Sequence, residues 1–157
     1  MAKIIKSESK FLSTAIQSLK TKLIEATISE QIASIYIYGS FLKGDLRKES
    51  DIDIAILPSY NVDDSMKLQL ISRIESFFMT LFKEMGIERE FSILDMKGKY
   101  VSFELLYKII TEGILLFEKD RTERLEFENA VKRDYFDFIP FLKDLRKRKY
   151  GTLSEKT

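Results

Sequence analysis

Apolar residues recur along this chain at two spacings, and the spacing changes name the elements. From Glu8 to Ala26, Leu12, Ala15, Ile16, Leu19 and Leu23 fall three and four apart, which predicts an amphipathic helix. Ser34 to Tyr38 is a β-branched and aromatic run ending at Gly39, and predicts a strand. Phe41 to Arg47 reads as a short helix or loop. Asp51 to Leu57 alternates strictly and stops at Pro58, so a second strand is expected there. Asp63 or Asp64 caps a long helix running to about Met85 and closed by Gly86. Glu88 to Leu94 reads as a third strand and Ser102 to Glu112 as a helix closed by Gly113. Ile114 to Phe117 is a short strand or extended segment. Arg121 to Lys149 is helical, broken near Pro140 and stopped by Gly151. This order predicts an α/β or α+β fold with one small mixed sheet flanked by helices.

Length and composition narrow the picture. The 157 residues fit one domain, 1–157, with residues 121–150 as a C-terminal helical extension. With only 6 Gly and 2 Pro the chain has few turns and no flexible linker. Lys plus Arg is 26 against 25 Asp plus Glu, a net charge of +1, so bulk charge argues against direct nucleic-acid binding. The first residues carry charge every few positions and lack the apolar stretch of a secretory signal. No uncharged run is long enough to span a bilayer. A cytoplasmic protein with no membrane role is expected.

Two absences constrain the chemistry further. Cys is 0, which removes thiol nucleophiles and thiolate metal sites. His is 0, which removes imidazole bases and imidazole-ligated zinc. An enzyme built from this composition relies on carboxylates, hydroxyls, Lys, Arg, Tyr and hard cations such as Mg²⁺ or Mn²⁺.

Such chemistry concentrates between Ile35 and Leu57. A predicted strand runs into Gly39-Ser40, and after ten residues comes Asp51-Ile52-Asp53 in the next strand. Alternate strand residues share a face, so Asp51 and Asp53 point one way while Ile52, Ile54 and Ile56 point the other. Neighbouring carboxylates repel unless a cation sits between them. Paired hard metal ions bridged by carboxylates are a standard device for in-line phosphoryl displacement. Gly39 permits close backbone approach to a ligand. If Ser40 opens a short helix, its N–H groups and hydroxyl suit phosphate oxygens, although a plain helix cap reads the same way. Lys43 lies one turn on, and Gly44 adds a second flexible point. Lys43 and Arg47 equally suit a solvated loop face.

The pattern G-S-x10-D-x-D, in the form GSFLKGDLRKESDIDIAIL, resembles the signature of the polymerase-β-like nucleotidyltransferases, most of all the minimal nucleotidyltransferases of prokaryotes. EGILLFEKDR, Glu112 to Arg121, resembles the segment after the third strand in these proteins. FENAVKRDYFDFIPFLKDLRKR, Phe127 to Arg148, resembles the C-terminal helix of MntA-type antitoxins, which partner a HEPN-domain ribonuclease toxin. The resemblance implies a nucleotidyltransferase fold, ATP as substrate, Mg²⁺ or Mn²⁺, and AMP transfer to a tyrosine of the toxin. It assigns Gly39 and Ser40 to the triphosphate, with Lys43 as a further nucleotide-binding candidate, and Asp51 and Asp53 to metal.

One position departs from that pattern. The family usually carries a third Asp on the third strand, and the matching segment here is Phe91-Ser92-Ile93-Leu94, which puts Ser92 in its place. Glu90 shares the predicted face of Ser92 and is the candidate replacement, so Asp51, Asp53 and Glu90 form the candidate catalytic set. A surface ion pair with Arg89 is the plainer reading of Glu90. Asp95 has the wrong parity. Three functions follow: an AMP-transferring antitoxin, an inactive antitoxin that occludes its partner, and a small-molecule nucleotidyltransferase. The last has little chain left for an acceptor domain. On the final helix, Val131, Tyr135, Phe138, Leu142 and Leu145 read as a core stripe. Phe136 and Phe141 lie off it, which makes the helix a candidate partner-docking element. Its basic end, Lys143 and Arg146 to Lys149, suits a solvated terminus, or a contact with an acidic partner or RNA.

Overall fold

The middle of the protein is a strand with apolar cover on both sides. That strand, β1 (Ile32–Tyr38), pairs antiparallel with β2 (Ile52–Pro58) on one edge and with β4 (Ile114–Glu118) on the other. β3 (Phe91–Asp95) adds parallel to β2, giving the order β3-β2-β1-β4. The helices are α1 (Ala2–Glu25), α2 (Asp64–Glu84), α3 (Phe103–Glu112) and α4 (Arg121–Ser154). The computed structural model describes residues 2–26, 30–43 and 51–154, with side chains outside 2–11, 43 and 150–154. Among these, no helix is long and apolar enough to cross a membrane.

Each face of the mixed sheet buries its own set of side chains. Ile35 and Ile37 of β1 and Ile52, Ile54 and Ile56 of β2 pack with Ile16, Leu19 and Leu23 of α1 and Leu70, Ile74 and Phe78 of α2. On the opposite face Ala33, Tyr36, Ala55 and Leu57 pack with Leu106 and Ile109 of α3 and Val131 of α4. Ile32 and Ile35 share a face although they are an odd number apart. A register irregularity between Ile32 and Ser34 absorbs the extra residue, as a β-bulge does.

Local chemistry sets the helix ends. Asp63, rather than Asp64, is the N-cap of α2, its carboxylate accepting from Met66 N at 3.1 Å. Gly86, at φ +71°, closes the same helix. Ile87 N donates to Phe82 O at 2.9 Å and Gly86 N to Lys83 O at 3.2 Å, which is the Schellman pattern. Ser102 caps α3 through Leu105 N at 3.2 Å.

Three expectations need correction. The third strand starts at Phe91, not Glu88, because the ladder opens where Phe91 meets Ile52. The first helix starts at Ala2, well before Glu8. α4 is neither broken at Pro140 nor stopped at Gly151. Proline removes one helix donor and crowds the carbonyl four residues back, that of Phe136. Phe136 is 58% exposed and Pro140 is exposed, so water can satisfy that carbonyl and the helix continues.

A buried polar chain ties α4 to the sheet. The Tyr36 hydroxyl donates to Glu128 Oε1. Arg124 reaches Glu128 at 2.9 Å and Glu118 of β4 at 3.4 Å. Burial, and then the adjacent Glu128 carboxylate, push the Tyr36 phenol far above its ordinary range. The folded state therefore holds this proton more tightly than the unfolded chain does. That contribution to stability is intact below the unfolded phenol pKa of about 10 and is lost as the pH rises beyond it. In urea titrations, Tyr36→Phe should cost about 1 kcal/mol at neutral pH. The same variant should show a shallower fall in stability above about pH 10 than the parent.

Candidate functional site

The site forms where β1 and β2 end side by side. Tyr38, the last residue of β1, stands opposite Asp53 in register. The chain then turns through Gly39 at φ +86°, a conformation glycine adopts without penalty. Ser40 opens a short 3₁₀ turn, Ser40–Lys43, in which Leu42 N donates to Gly39 O at 3.1 Å. Phe41, 1% exposed, anchors that turn in the core, and the Arg89 guanidinium lies 5.6 Å from the centre of its ring. The turn is thus fixed by an apolar anchor while Ser40 stays exposed.

Asp53 is held from two sides. A Cβ at position 39 would lie 2.3 Å from Asp53 Oδ2, so only glycine allows this approach. The other oxygen, Oδ1, accepts from Ser92 Oγ at 2.9 Å, and Ser92 is the register partner of Asp53 in the parallel β2–β3 pair. Asp53 has the parity of Ala55 and Leu57, so it belongs to the α3/α4 face, as its alternation predicts. Burial, and then the charge of Asp53, raise the pKa of the half-buried Tyr38 phenol, which stays protonated at neutral pH.

The other candidates fall at graded distances from this centre. Asp51 is exposed and lies one residue before β2. Glu90 is exposed and precedes β3, and its backbone carbonyl accepts from Ile52 N at 2.9 Å. Asp95 points away and pairs with Lys67 of α2 at 3.2 Å. Lys43 ends the 3₁₀ turn, and its side chain, with Gly44 and Arg47, lies outside the described residues. Sequence reasoning missed Tyr38, Phe41 and Arg89. Phe41 carried a signal, an apolar residue directly after Gly-Ser, whereas Arg89 over its ring depends on tertiary packing. The concavity of about 880 Å³ between α1 and α2 is lined by Lys22, Arg73, Phe77 and Glu84 and holds none of the site residues.

The donor set is one of hard oxygens. Among the described residues no three acidic, His or Cys side chains cluster as a ready-made metal cage. Mg²⁺ commonly binds through one or two carboxylates plus substrate phosphates and water. Asp53, beside a glycine backbone that a side chain would obstruct, and the exposed Asp51 two residues before it supply donors that fit an ion of that kind.

At the far end of α4, Val131 is buried and Tyr135, Phe138 and Leu142 are half-buried, but Leu145 is 45% exposed, so the core stripe ends before it. Tyr135 stacks on Tyr107 of α3 at 3.9 Å, and Phe138 meets Phe103 at 6.0 Å. Phe136 and Phe141 are more than half exposed. Within the basic end, Arg146 pairs with Glu104 at 3.0 Å and Arg148 with Asp144 at 3.2 Å.

The sheet thus sets Gly39-Ser40, at the end of β1, beside the start of β2, where Asp53 lies on the strand and Asp51, expected within it, falls one residue before it. Residues 21–122 match the family described as polymerase beta, nucleotidyltransferase, and the chain belongs to that family. No curated protein matches it in sequence. Among solved structures, a toxin–antitoxin MntA–HepT crystal structure contains a chain with 17% identity and a TM-score of 0.50, covering 88% of this chain and 98% of that one. A toxin–antitoxin structure with AMP-PNP gives 20% identity and a TM-score of 0.49, covering 87% and 96%. A tri-AMPylated Shewanella oneidensis HEPN toxin in complex with MNT antitoxin gives 18% and 0.47, covering 89% and 97%. At these identities the likeness is one of fold.

Gly39→Ala tests the turn directly. It forces a methyl group onto Asp53 and an L-residue into the left-handed region, the latter alone costing about 1–2 kcal/mol. The expected outcome is a folded protein, by circular dichroism, whose affinity for Mg²⁺–ATP in calorimetry falls at least about ten-fold, equivalent to 1.4 kcal/mol.

Proposed function

We propose that this protein is an antitoxin that transfers AMP from ATP to a tyrosine of a HEPN-domain ribonuclease toxin and so silences it. The observation that carries the reading is the close approach of Asp53 to Gly39 at the joint end of β1 and β2. Membership of the nucleotidyltransferase family supports it, as does a fold shared with the MntA–HepT structure over nearly all of the matched chain. The antitoxin role itself comes from the resemblance of Phe127–Arg148 to the C-terminal helix of the MntA type, beside a Gly39–Leu57 stretch that resembles the minimal nucleotidyltransferases.

In this reading Gly39 and Ser40 receive the triphosphate, with Lys43 as a further contact. Asp51 and Asp53 hold Mg²⁺ or Mn²⁺. When bound, the cation offsets charge on the phosphates and on the departing pyrophosphate. The toxin's tyrosine oxygen bonds to the α-phosphorus as the bond to the β-phosphate oxygen breaks. The phenolic proton passes to water. The chain's own share is orientation, through the Gly39 turn and the fixed Asp53 carboxylate. The exposed Phe136 and Phe141 on α4 suit the partner contact, and the reaction belongs in the cytoplasm.

A second reading is favoured by one observation. Ser92, a neutral hydroxyl, stands in register with Asp53 where the family usually has a carboxylate. A serine is not a base at neutral pH, so the same fold could silence its partner by occlusion alone. Intact-mass spectrometry of the co-purified toxin after incubation with Mg²⁺ and ATP separates the two. The proposal expects toxin mass to rise by AMP units with the parent protein and not with Asp53→Asn. An unmodified toxin in a stable, inactive complex would establish occlusion instead.

A further inference from the structure

Ser92 does more than leave a carboxylate out. Its hydroxyl donates to Asp53 Oδ1 at 2.9 Å, while Oδ2 lies against the Gly39 turn. One oxygen of a half-buried carboxylate is therefore oriented by a neutral donor, and the other sits in space that only a glycine at position 39 leaves open. No other acidic side chain completes a triad with Asp51 and Asp53 among the described residues. A carboxylate at position 92 would place two like charges directly opposite each other across the β2–β3 pair, which is destabilising. A divalent cation relieves that repulsion, so a site of that kind takes up the ion by itself. A hydroxyl creates no such repulsion. With one or two carboxylates, the ion needs phosphate oxygens to complete its shell.

We propose that Ser92 is a positioning residue that presets Asp53 without a cation and thereby makes divalent-ion uptake conditional on a nucleoside triphosphate. This rests on the nucleotidyl-transfer reading of the site. Ion and nucleotide enter together, and the protein alone keeps its site formed while metal-free. Because Ser92 is exposed, its replacement leaves both cores intact.

Mn²⁺ binding to the full chain tests this by equilibrium dialysis with electron paramagnetic resonance of the free ion. The probes are Mn²⁺ alone and Mn²⁺ with α,β-methylene-ATP, which cannot be cleaved to AMP. The parent should retain Mn²⁺ strongly only with the nucleotide. Ser92→Asp should bind Mn²⁺ alone about ten-fold more tightly than the parent, melt lower in EDTA, and recover on Mn²⁺ addition. Ser92→Ala should bind the Mn²⁺–nucleotide about ten-fold more weakly, and Ser92→Thr, which keeps the hydroxyl, should restore it. Parent protein that binds Mn²⁺ alone as tightly as Ser92→Asp overturns the inference. So does Ser92→Ala that holds the Mn²⁺–nucleotide as the parent does, an outcome that leaves the transfer reading standing. If the variants behave as expected while no toxin tyrosine ever gains AMP, the transfer reading fails and the role of Ser92 remains.

Discussion

The antiparallel register of β1 on β2 is the constraint on which the rest of the molecule depends. It sets Tyr38 opposite Asp53, which brings Gly39 against the carboxylate. It also decides which residues face which helices, because a slip of one residue would exchange the two faces of each strand. Ile52, Ile54 and Ile56 would leave the α1/α2 core, and Asp53 would enter it. Burying an unpaired carboxylate among isoleucines is costly enough that the hydrophobic pattern and the site enforce the same register.

Much of this was legible in the chain. The alternation from Asp51 to Leu57 names the strand to within a residue at each end and the face opposite the isoleucines to which Asp53 belongs, because one face is apolar throughout. Asp63, Gly86 and Ser102 mark helix ends by local chemistry that needs no tertiary information. Local chemistry does not show how segments meet. The irregularity between Ile32 and Ser34 exists to satisfy two faces at once, and no property of Ala33 alone announces it. The start of β3 depends on where Phe91 finds Ile52, a pairing across a long insertion. Pro140 and Gly151 carry strong breaker propensities, yet α4 continues through both, and at Pro140 the exposed surroundings blunt the penalty.

The site was legible in the same uneven way. Gly39, Ser40, Asp51 and Asp53 stand out by type and spacing. Ser92 was visible as a departure from a family pattern, but its pairing and hydrogen bond with Asp53 were not, since they need β2 and β3 in parallel register. Glu90 looked like a substitute by parity. It lies just before the strand, where its main-chain carbonyl accepts from Ile52 N. Of the three acidic candidates, Asp53 is the one that a hydrogen bond orients among the described residues.

The anchoring of α4 gives that helix a gradient of local stability along its length. Its 34 residues extend roughly 50 Å at 1.5 Å per residue. The first turns are tied to β1 and β4 through Glu128 and Arg124. Beyond Val131 the helix meets α3, through the Tyr135–Tyr107 stack, the Phe138–Phe103 contact and an exposed ion pair. Segments with few buried contacts open at lower free energy than the global unit to which they belong. The distal half of α4 can therefore detach, rotate or seat against another surface while the strands that carry Asp53 stay folded. The exposed Phe136 and Phe141 thus sit on a part of the chain mechanically separable from the sheet that orients Asp53.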